Sequence, residues 1–562
     1  MRFFPLILLP MLLISPGNAQ DRSQARSMVI SDGGIVATSQ TLASQAGAQV
    51  LARGGSAMDA AIAANATLGV VEPESCGIGG DLFAIYWDAK TGKLTAINAS
   101  GWAPKALTID VLKSLGNTTM PQEGIQAVTV PGCVDGWAKL HKRFGKLPWK
   151  DLFQPAIYYA DHGYPVTEMI REAWKEEEAK LAKDQNGQKV FLIHGAAPAM
   201  GQMFRNPQMA AALRLISTEG EAAFYRGAIA KAILKTSDRL GGKMNLADLS
   251  EFESEWVEPL ATEYRGWKVY ELPPNGQGIA AIEMLNILSV LPLAAYQPRG
   301  LLELHTQIEA QKLAYQDLQR YVADMRFSKV PVEGMISMDY ARERAKLIDP
   351  NQARCDVTPG DPLKVHGDTI YLSAVDREGN IVSLIQSLYQ HFGSKVVTDD
   401  YGFALQNRGG LFEMDPAHPN ALAPRKRPFH TIIPAFMEQG SVHMGFGIMG
   451  GLNQAQAHAQ FVSNVVDHGM SIQSALEAPR FSKTTFGGCD VSIENRVPPE
   501  IRDALTAKGH QLKVLGDFSS VMGGGQVVVH DSAKGVNYGA SDPRKDGAAV
   551  PEPPAYFTAP KR

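Results

Sequence analysis

The sequence predicts an α+β protein in which helices and β-sheet form separate layers around a hydrophobic core. Long segments in the first part of the chain repeat apolar residues at helical spacing, and shorter segments after residue 368 are rich in β-branched and aromatic residues. The 562 residues are 45% hydrophobic, so the chain is long enough to bury a large core without support from disulfides or metals.

The first two helices are marked by alanine-rich segments on either side of a glycine pair. Residues 41–53 have a helical pattern that stops at Gly54 and Gly55. Ser56 then begins a second helix, and Asp59 stands three residues later, at the spacing of a capping box. The alanines of this second helix leave room for close packing, so we expect it to be buried. Further helices are predicted over residues 205–235, 276–292, 302–324 and 453–468.

A turn-rich stretch at residues 357–362 predicts an exposed loop between the helical part and the strand-rich part. Residues 369–375 and 381–388 follow as two β-strands, and the five residues between them are typical of a hairpin turn. Further strands are predicted over residues 428–436, 441–447 and 525–530.

Residues 1–19 have the pattern of a secretory signal peptide. Arg2 precedes an apolar run over residues 3–14, and Gly17 and Ala19 supply the small residues of a cleavage site. The apolar run covers 12 residues, fewer than the roughly 20 that span a bilayer, which favours a cleaved signal over an uncleaved anchor. We therefore expect a periplasmic or secreted protein without a membrane contact after signal cleavage.

Charge and cysteine usage exclude some classes of protein. The 54 Lys and Arg residues nearly balance 58 Asp and Glu residues, which argues against a nucleic-acid binder. The four cysteines lack C-x-x-C spacing, which argues against a zinc ribbon or a thioredoxin-like site. An exported chain can hold disulfides, but the sequence leaves all three complete pairings open, as well as buried free thiols. The cysteines are Cys76, Cys133, Cys355 and Cys489.

Motif searches find one dinucleotide-binding pattern and no metal site. Residues 445–450 read G-x-G-x-x-G after a short strand, and Asp467 follows at about the distance of a ribose-binding acid. The pattern lies deep in an exported chain without a parallel βαβ repeat, so we interpret it as a strand-to-helix turn that presents backbone N–H groups to an anion or oxyanion. The metalloprotease, phosphate-loop and serine-hydrolase motifs are absent, and the histidines show no ligand spacing. We predict neither a metal nor another cofactor.

The junction between the loop and the first predicted strand has its own chemistry. Cleavage of the Asp368–Thr369 bond would make Thr369 an N-terminal residue. Its α-amino group, with an ordinary pKa near 7.7–8.0, would then act as the base for its own hydroxyl. Such a nucleophile needs neither histidine nor metal. The alternative is that Thr369 simply begins a strand, as many threonines do.

The chain resembles the γ-glutamyltransferase (glutathione hydrolase) family of self-cleaving N-terminal-nucleophile enzymes. The likeness extends from about Val29 to Arg544. The motifs that carry it are Ala46-Gly47, Gly54-Gly55-Ser56-Ala57-Met58-Asp59-Ala60-Ala61, Gly77-Ile78-Gly79-Gly80-Asp81, Val130-Pro131-Gly132, Glu309-Ala310, Leu313-Ala314-Tyr315, Gly379-Asn380, Gly450-Gly451, Ala478-Pro479-Arg480-Phe481 and Gly539-Ala540-Ser541-Asp542-Pro543-Arg544.

This resemblance implies a four-layer αββα sandwich built from two chains cut from one precursor. The expected large subunit covers residues 20–368, and the expected small subunit covers residues 369–562 and stays associated with it in one intertwined fold. Thr369 takes the position of the processing and catalytic nucleophile. Gly450 and Gly451 match the oxyanion-hole pair, and Ser387 falls where the family has a second threonine that hydrogen-bonds the nucleophile. A plain strand residue is the alternative for Ser387.

The residues that would bind the donor depart from the family pattern. Ser100 replaces the carboxylate-binding arginine, and Leu411 replaces the acid that holds the α-ammonium group. Tyr389, Arg408, His430 and Thr431 also stand at donor-binding positions with changed residue types. A donor with a terminal carboxylate and no α-amino group suits Arg408 and Leu411, as in the glutaryl-cephalosporin acylase branch of the family. Alternatively, Arg408 pairs with a structural carboxylate and His430 is a hydrogen-bonded core residue.

The resemblance therefore predicts an autoprocessed enzyme that cleaves γ-glutamyl amides through an acyl-enzyme and passes the acyl group to water or an amine. One alternative is a glutaryl- or cephalosporin-type amide acylase without α-amino recognition. Other classes remain open: a non-enzymatic exported binding protein with the same fold, and a nucleotide-binding oxidoreductase. The expected partners are a small-molecule amide, its acceptor and the second subunit, with no nucleic acid.

Overall fold

The computed structural model describes residues 24–356 and 368–555. The predicted signal peptide at residues 1–19 and the predicted loop at residues 357–362 lie outside these ranges. Within them, no helix has both the length and the apolar character needed to cross a membrane.

The helices are numbered in chain order. They are α1 (Thr41–Ala52), α2 (Ala57–Val71), α3 (Ile109–Ser114), α4 (Cys133–Phe144), α5 (Trp149–Leu152), α6 (Gln154–His162), α7 (Glu168–Leu181), α8 (Gln185–Phe191), α9 (Pro207–Glu219), α10 (Glu221–Tyr225), α11 (Ala228–Arg239), α12 (Leu246–Ser250), α13 (Gly278–Ser289), α14 (Leu301–Tyr321), α15 (Val332–Met335), α16 (Met338–Ala345), α17 (Asn453–Val466), α18 (Ile472–Glu477) and α19 (Pro499–Ala507), with short 3₁₀ turns at Ile125–Ala127, Leu293–Ala295, Arg408–Leu411 and Ser520–Met522.

The strands are numbered in the same way. They are β1 (Val29–Ser31), β2 (Ile35–Thr38), β3 (Asp81–Asp88), β4 (Lys93–Ala99), β5 (Tyr164–Pro165), β6 (Met203–Phe204), β7 (Glu255–Val257), β8 (Leu260–Tyr264), β9 (Trp267–Glu271), β10 (Asp368–Val375), β11 (Ile381–Tyr389), β12 (Ala435–Gln439), β13 (Val442–Ile448), β14 (Phe481–Ser482), β15 (Asp490–Glu494), β16 (Gln511–Leu515), β17 (Gly525–Asp531), β18 (Val536–Ser541) and β19 (Ala548–Pro551).

Two seven-stranded antiparallel sheets form the centre of the molecule. The first has the order β1-β18-β17-β13-β12-β9-β8, and the second has the order β19-β2-β10-β11-β3-β4-β7. Each sheet takes strands from both sides of Thr369, so the parts of the chain before and after this residue are interwoven. A smaller sheet orders β14-β15-β16, and β5 pairs with β6.

Helices cover the outer face of each sheet, which gives the four-layer αββα sandwich that the resemblance implied. Helix α2 packs on β10 and β11, and α4 packs on β3 and β4. On the other side, α13 packs on β8 and β9, while α17 packs on β13. A separate apolar cluster that includes Phe83, Tyr371, Ile385 and Phe436 fills the space between the two sheets. The α+β prediction is therefore confirmed.

Most predicted elements are present. The Ser56 hydroxyl accepts a hydrogen bond from the Asp59 N–H, and the Asp59 carboxylate accepts one from the Ser56 N–H, so the predicted capping box begins α2. All residues of α2 are buried, as its alanine content predicted. The predicted strands at 369–375 and 381–388 pair as the antiparallel hairpin β10–β11.

Three predictions about the secondary structure and its distribution along the chain are wrong in part. The strand expected at 428–436 begins only at Ala435, because the backbone of residues 428–431 bonds to the segment 275–277 instead of a neighbouring strand. Gly445 and Gly447 of the G-x-G-x-x-G pattern lie inside β13, and only the residues after Ile448 form the turn. The division into a helical part and a strand-rich part also fails, since β3 and β4 come from the first part.

Two of the four cysteines form a disulfide. Cys355 is bonded to Cys489, whereas Cys76 and Cys133 are buried and are not part of a disulfide. The sequence left the pairing open, and the fold selects one pair because it brings the end of the first part of the chain against β15.

Candidate active site

The candidate nucleophile lies in a row of polar residues between the two sheets. Thr369, Ser387 and Asp81 stand on the neighbouring strands β10, β11 and β3, and Ser387 is directly opposite Asp81 in the strand register. Alternate residues of these strands, such as Tyr371 and Ile385, belong to the cluster between the sheets. The row therefore points towards the facing sheet. All three polar side chains are fully buried.

Thr369 and Ser387 are hydrogen-bonded to each other. Their hydroxyl oxygens are 3.1 Å apart, and either can be the donor. Ser387 Oγ also accepts a hydrogen bond from the Tyr389 N–H at 2.7 Å. Asp368, the residue before the predicted cleavage point, is paired opposite Tyr389. The fold thus brings Thr369 and Ser387 together at one end of the hairpin.

The strand β13, which leads into the glycine turn, faces β10 and β11 across the space between the sheets. A Cβ on Gly445 would lie 3.6 Å from Ser383, and one on Gly447 would lie 2.5 Å from the Tyr371 ring. The close approach at Gly447 thus requires glycine. Gly450 and Gly451 follow the end of β13 at Ile448 and form the turn that leads into α17.

The conformation of this turn leaves two backbone donors available. Gly450 has a φ of +123°, which side chains rarely adopt, and Gly451 has a φ of +58°. Within the described ranges, neither glycine N–H donates a hydrogen bond to the protein. Gln277 fixes the turn by donating its Nε2–H to the Gly451 carbonyl at 2.8 Å. Two such N–H groups are suited to stabilising a developing oxyanion.

Asp81 is a buried carboxylate with several hydrogen-bond donors. It accepts the Gly101 N–H at 3.1 Å and the Gly132 N–H at 3.2 Å, and its second oxygen is 3.0 Å from His430 Nε2. Burial raises the pKa of Asp81 from 3.8 to about 7, and the positive charge of Arg408 and the two N–H donors oppose this rise. Asp81 therefore changes charge near neutral pH.

His430 is neutral in this arrangement. The Ile432 N–H donates to His430 Nδ1 at 3.3 Å, so the ring proton is on Nε2 and is directed at Asp81. Burial lowers the pKa of His430 well below its usual value, and the neighbouring guanidinium groups of Arg408 and Arg427 lower it further. Both ring nitrogens therefore have protein partners.

Arg408 has unused hydrogen-bonding capacity. Its guanidinium donates from Nη1 to Thr431 Oγ1 at 2.6 Å and lies 4.7 Å above the Tyr389 ring. Nε and Nη2 are buried, and no acceptor for them exists among the residues that the structure describes. Burial lowers the pKa of Arg408 to about 10, against the opposing effect of the Asp81 charge. Two N–H groups of a buried cation are thus available for an acidic ligand.

Ser100 and Leu411 complete the changed donor-binding positions. Ser100 Oγ donates to Asn98 Oδ1 at 2.7 Å and accepts from Asn275 Nδ2 at 3.2 Å, so it belongs to a neutral amide network. Leu411 is 1% exposed. With Phe429 and Phe486, it lines a cavity of about 20 Å³, and Glu413, His418 and Asn420 line the same cavity. The Leu411 side chain itself offers no counter-ion to an ammonium group.

Sequence reasoning missed three residues of the site. Asp81 was part of a family motif without an assigned role, although an acid that begins an apolar strand is a signal for a buried functional group. Asn275 and Gln277 fix the segment 428–431 and the glycine turn by hydrogen bonds. Because these bonds join residues more than 150 positions apart, no local pattern indicates them.

Histidines that are separated in the sequence meet in the fold away from this site. His305, Glu309 and His510 bring possible ligand atoms within 4.8 Å of one another. His305 Nδ1 is hydrogen-bonded to His510 Nε2 at 2.8 Å, and the Lys312 ammonium occupies Glu309 Oε1 at 2.7 Å. The sequence analysis did not predict this cluster, because its residues have no ligand spacing along the chain. A larger cavity of about 860 Å³ lies elsewhere, between α1, α6 and α9.

Comparisons with known proteins agree with this architecture. The sequence profile of the gamma-glutamyltranspeptidase family matches residues 43–552. The glutathione hydrolase-like YwrD proenzyme of Bacillus subtilis is 36% identical over 93% of this chain and 99% of its own length. The oxamate amidohydrolase proenzyme of Klebsiella pneumoniae is 34% identical over 93% of this chain and 99% of its own length. The crystal structure of cephalosporin acylase from Bacillus halodurans superposes with a TM-score of 0.88 at 41% identity, over 96% of this chain and 99% of that one.

The family profile spans most of the chain, and the relatives align over nearly their whole length. Their names include glutathione hydrolase-like, amidohydrolase and acylase proenzymes. The chain therefore belongs to the gamma-glutamyltranspeptidase family and is an amidohydrolase with the N-terminal-nucleophile fold.

Proposed function

We propose that this protein is an exported proenzyme that cuts itself before Thr369 and then cleaves amides whose acyl group ends in a carboxylate. The observation that carries the proposal is the buried Arg408 guanidinium, two of whose nitrogens have no acceptor among residues 24–356 and 368–555. A buried cation without a counter-ion in contact is costly, and a planar carboxylate can accept both N–H groups at once. Binding of such a donor would remove the cost.

Processing supplies the base for the reaction. Hydrolysis of the Asp368–Thr369 bond would leave Asp368 as a carboxylate and Thr369 with a free α-amino group. This amine takes the proton of Thr369 Oγ1, and the oxygen attacks the amide carbon of the donor. Gly450 and Gly451 donate their N–H groups to the oxyanion. The proton then passes to the leaving amine, and an ester of Thr369 remains.

Water or an acceptor amine completes the cycle. Attack on the ester carbon releases the acid or a new amide, and Thr369 Oγ1 regains its proton. Ser387 supports both formation and breakdown of the ester, because its hydroxyl is within hydrogen-bond distance of the Thr369 hydroxyl. Its other contact, with the Tyr389 N–H, holds it in place.

The changed residues favour a donor without an α-ammonium group. Leu411 is a buried apolar side chain, and the hydrogen bonds of Ser100 are directed to neutral amides. A glutaryl amide and a γ-glutamyl amide differ only in the α-amino group, so they form a matched pair of donors. A valeryl amide lacks both the amino group and the carboxylate.

The experiment compares kcat/KM for glutaryl, γ-glutamyl and valeryl anilides. We expect the glutaryl donor to exceed the valeryl donor by about 100-fold, since one or two charge-assisted hydrogen bonds are worth about 1.5–3 kcal/mol each. The glutaryl donor should also exceed the γ-glutamyl donor. Equal rates for glutaryl and valeryl anilides would contradict a role for the donor carboxylate.

A γ-glutamyl amide is the second candidate, and Asp81 is the observation that favours it. This carboxylate lies in the same row as Ser387 and interacts with Arg408, so it offers a negative charge near the site. One relative is also named glutathione hydrolase-like. A γ-glutamyl rate well above the glutaryl rate would select this donor.

Export is the remaining part of the proposal. The signal-peptide pattern of residues 1–19 supports it, and so does the Cys355–Cys489 disulfide, because disulfides persist in oxidising compartments. Fractionation of the producing cells tests it. The processed chain should appear outside the cytoplasm and begin near residue 20.

A further inference from the structure

The disulfide connects parts of the chain on opposite sides of the proposed cleavage point. Cys355 precedes Thr369, Cys489 follows it, and the two are 134 positions apart. In the uncut chain this bond closes a loop. Cleavage inside the loop would convert it into a link between two separate polypeptides.

We propose that the Cys355–Cys489 disulfide joins the large and small subunits of the mature enzyme covalently. The inference rests on the proposed cleavage before Thr369. The other two cysteines, Cys76 and Cys133, both precede Thr369, so both would belong to the large subunit, and neither is part of a disulfide. Within the described ranges, the Cys355–Cys489 bond is thus the sole covalent connection that would survive cleavage.

Hydrogen bonds from both parts of the chain hold the two cysteines in position. The Ala353 N–H donates to the Lys508 carbonyl at 2.7 Å, which fixes the segment before Cys355 on the small-subunit side. The Gln511 N–H donates to the Cys489 carbonyl at 2.8 Å. These bonds do not depend on the sulfur–sulfur bond, so the pair remains aligned before oxidation and after cleavage.

Helix α14 supports the same junction from the large-subunit side. Glu309 accepts the Arg354 N–H at 3.1 Å, and Lys312 donates to the Arg354 carbonyl at 3.0 Å. Lys312 Nζ also lies 3.3 Å from Cys489 Sγ, and the Glu309–Lys312 ion pair is buried.

Formation and reduction of the disulfide are two-electron thiol–disulfide exchange reactions. The two thiols lose two protons and two electrons to a disulfide-donating oxidoreductase or small disulfide of the exported compartment, which is reduced to a dithiol. A thiol reductant reverses the reaction by attack at the Cys355 sulfur, because Cys355 is exposed whereas Cys489 is 2% exposed. The link is thus open to external control.

Intact mass under denaturing conditions tests the proposal. Without reductant, the mature protein should give one mass equal to the sum of the two subunits less two hydrogens, and reductant should separate them. The Cys355→Ser and Cys489→Ser variants should each give two separate masses without reductant. Two separate masses from the unreduced wild type would overturn the proposal.

The same samples distinguish a failure of processing from a failure of the link. Alkylation of the denatured, unreduced protein should modify two thiols, and alkylation after reduction should modify all four. A chain that stays single after reduction but has two protected thiols would refute the cleavage and, with it, the inter-subunit role. A cut protein with four free thiols would refute the disulfide alone.

Refolding gives the functional consequence. Linked subunits keep an effective concentration in the millimolar range. After unfolding in urea without reductant, wild type should regain activity with a yield that is unchanged by about 100-fold dilution. The double variant Cys355→Ser/Cys489→Ser should lose yield on dilution, and the same yield for both proteins would contradict the tether.

Discussion

Replacement of Arg408 by methionine separates donor binding from packing. Methionine keeps much of the apolar stem of arginine and removes the guanidinium. Arg408 is fully buried, so water does not weaken its bonds to a carboxylate. Two charge-assisted hydrogen bonds are worth about 1.5–3 kcal/mol each and do not add fully. We expect a loss of about 3–4 kcal/mol, which is a fall of roughly 10²–10³ in kcat/KM for the glutaryl donor.

The assay is anilide hydrolysis with the glutaryl and valeryl donors, after intact mass has shown that the variant is processed. The valeryl rate should change little, because that donor has no carboxylate to bind. The matched variant Arg408→Lys keeps the positive charge but loses the planar guanidinium that can bind a carboxylate with two N–H groups. Its kcat/KM for the glutaryl donor should lie between those of wild type and Arg408→Met. An equal fall for both donors would mean that Arg408 does not bind the donor carboxylate and acts in packing alone.

Three further changes test the remaining parts of the site. Ser387→Ala removes the hydroxyl next to Thr369 and leaves the Tyr389 N–H without its side-chain acceptor, so kcat should fall about 10–100-fold, and Ser387→Thr should restore most of it. Leu411→Asp should raise the ratio of γ-glutamyl to glutaryl hydrolysis, because it supplies a partner for the α-ammonium group. Asp81→Asn should alter the pH dependence of stability. The pKa of Asp81 is raised from 3.8 to about 7 in the folded chain, so between these pH values the folded chain holds a proton that the unfolded chain has released. The free energy of unfolding of wild type therefore falls as pH rises from about 4 to about 7. The variant should lack this component, as the midpoint of urea unfolding across that pH range can show.

Each of these predictions has an outcome that contradicts it. Full activity of Ser387→Ala would show that the Ser387 hydroxyl has no role in catalysis. This result decides the question even if Ser387→Thr is inactive because the position tolerates no extra methyl group. For Leu411→Asp, an unchanged donor ratio would place the α-ammonium elsewhere. For Asp81→Asn, a pH slope identical to that of wild type would show that Asp81 does not titrate in this range.

Local sequence patterns predicted the elements that carry the nucleophile. The capping box of Ser56 and Asp59 and the hairpin of β10 and β11 are present as expected. These features depend on residues close together in the chain. The strand β3 was missed because its residues are almost all apolar and buried on both faces, so it lacks the alternation that distinguishes a half-exposed strand.

The donor-binding contacts depend on the fold and not on local patterns. The Asp81–His430 bond joins residues 349 positions apart, and the bond from Arg408 to Thr431 depends on how the segment 428–431 is held by Asn275. A family resemblance placed His430, Thr431 and Arg408 near the donor. Only the structure gives their partners and shows which nitrogens of Arg408 have none.

The central claim is that Thr369 cuts the chain and then serves as the nucleophile. The most direct measurement is the intact mass, after reduction, of the purified wild type and of the Thr369→Ala variant. We expect two fragments for wild type, the second beginning at Thr369, and one uncut chain without amidase activity for the variant. A single uncut wild-type chain, or a variant that is cut and active, would contradict it.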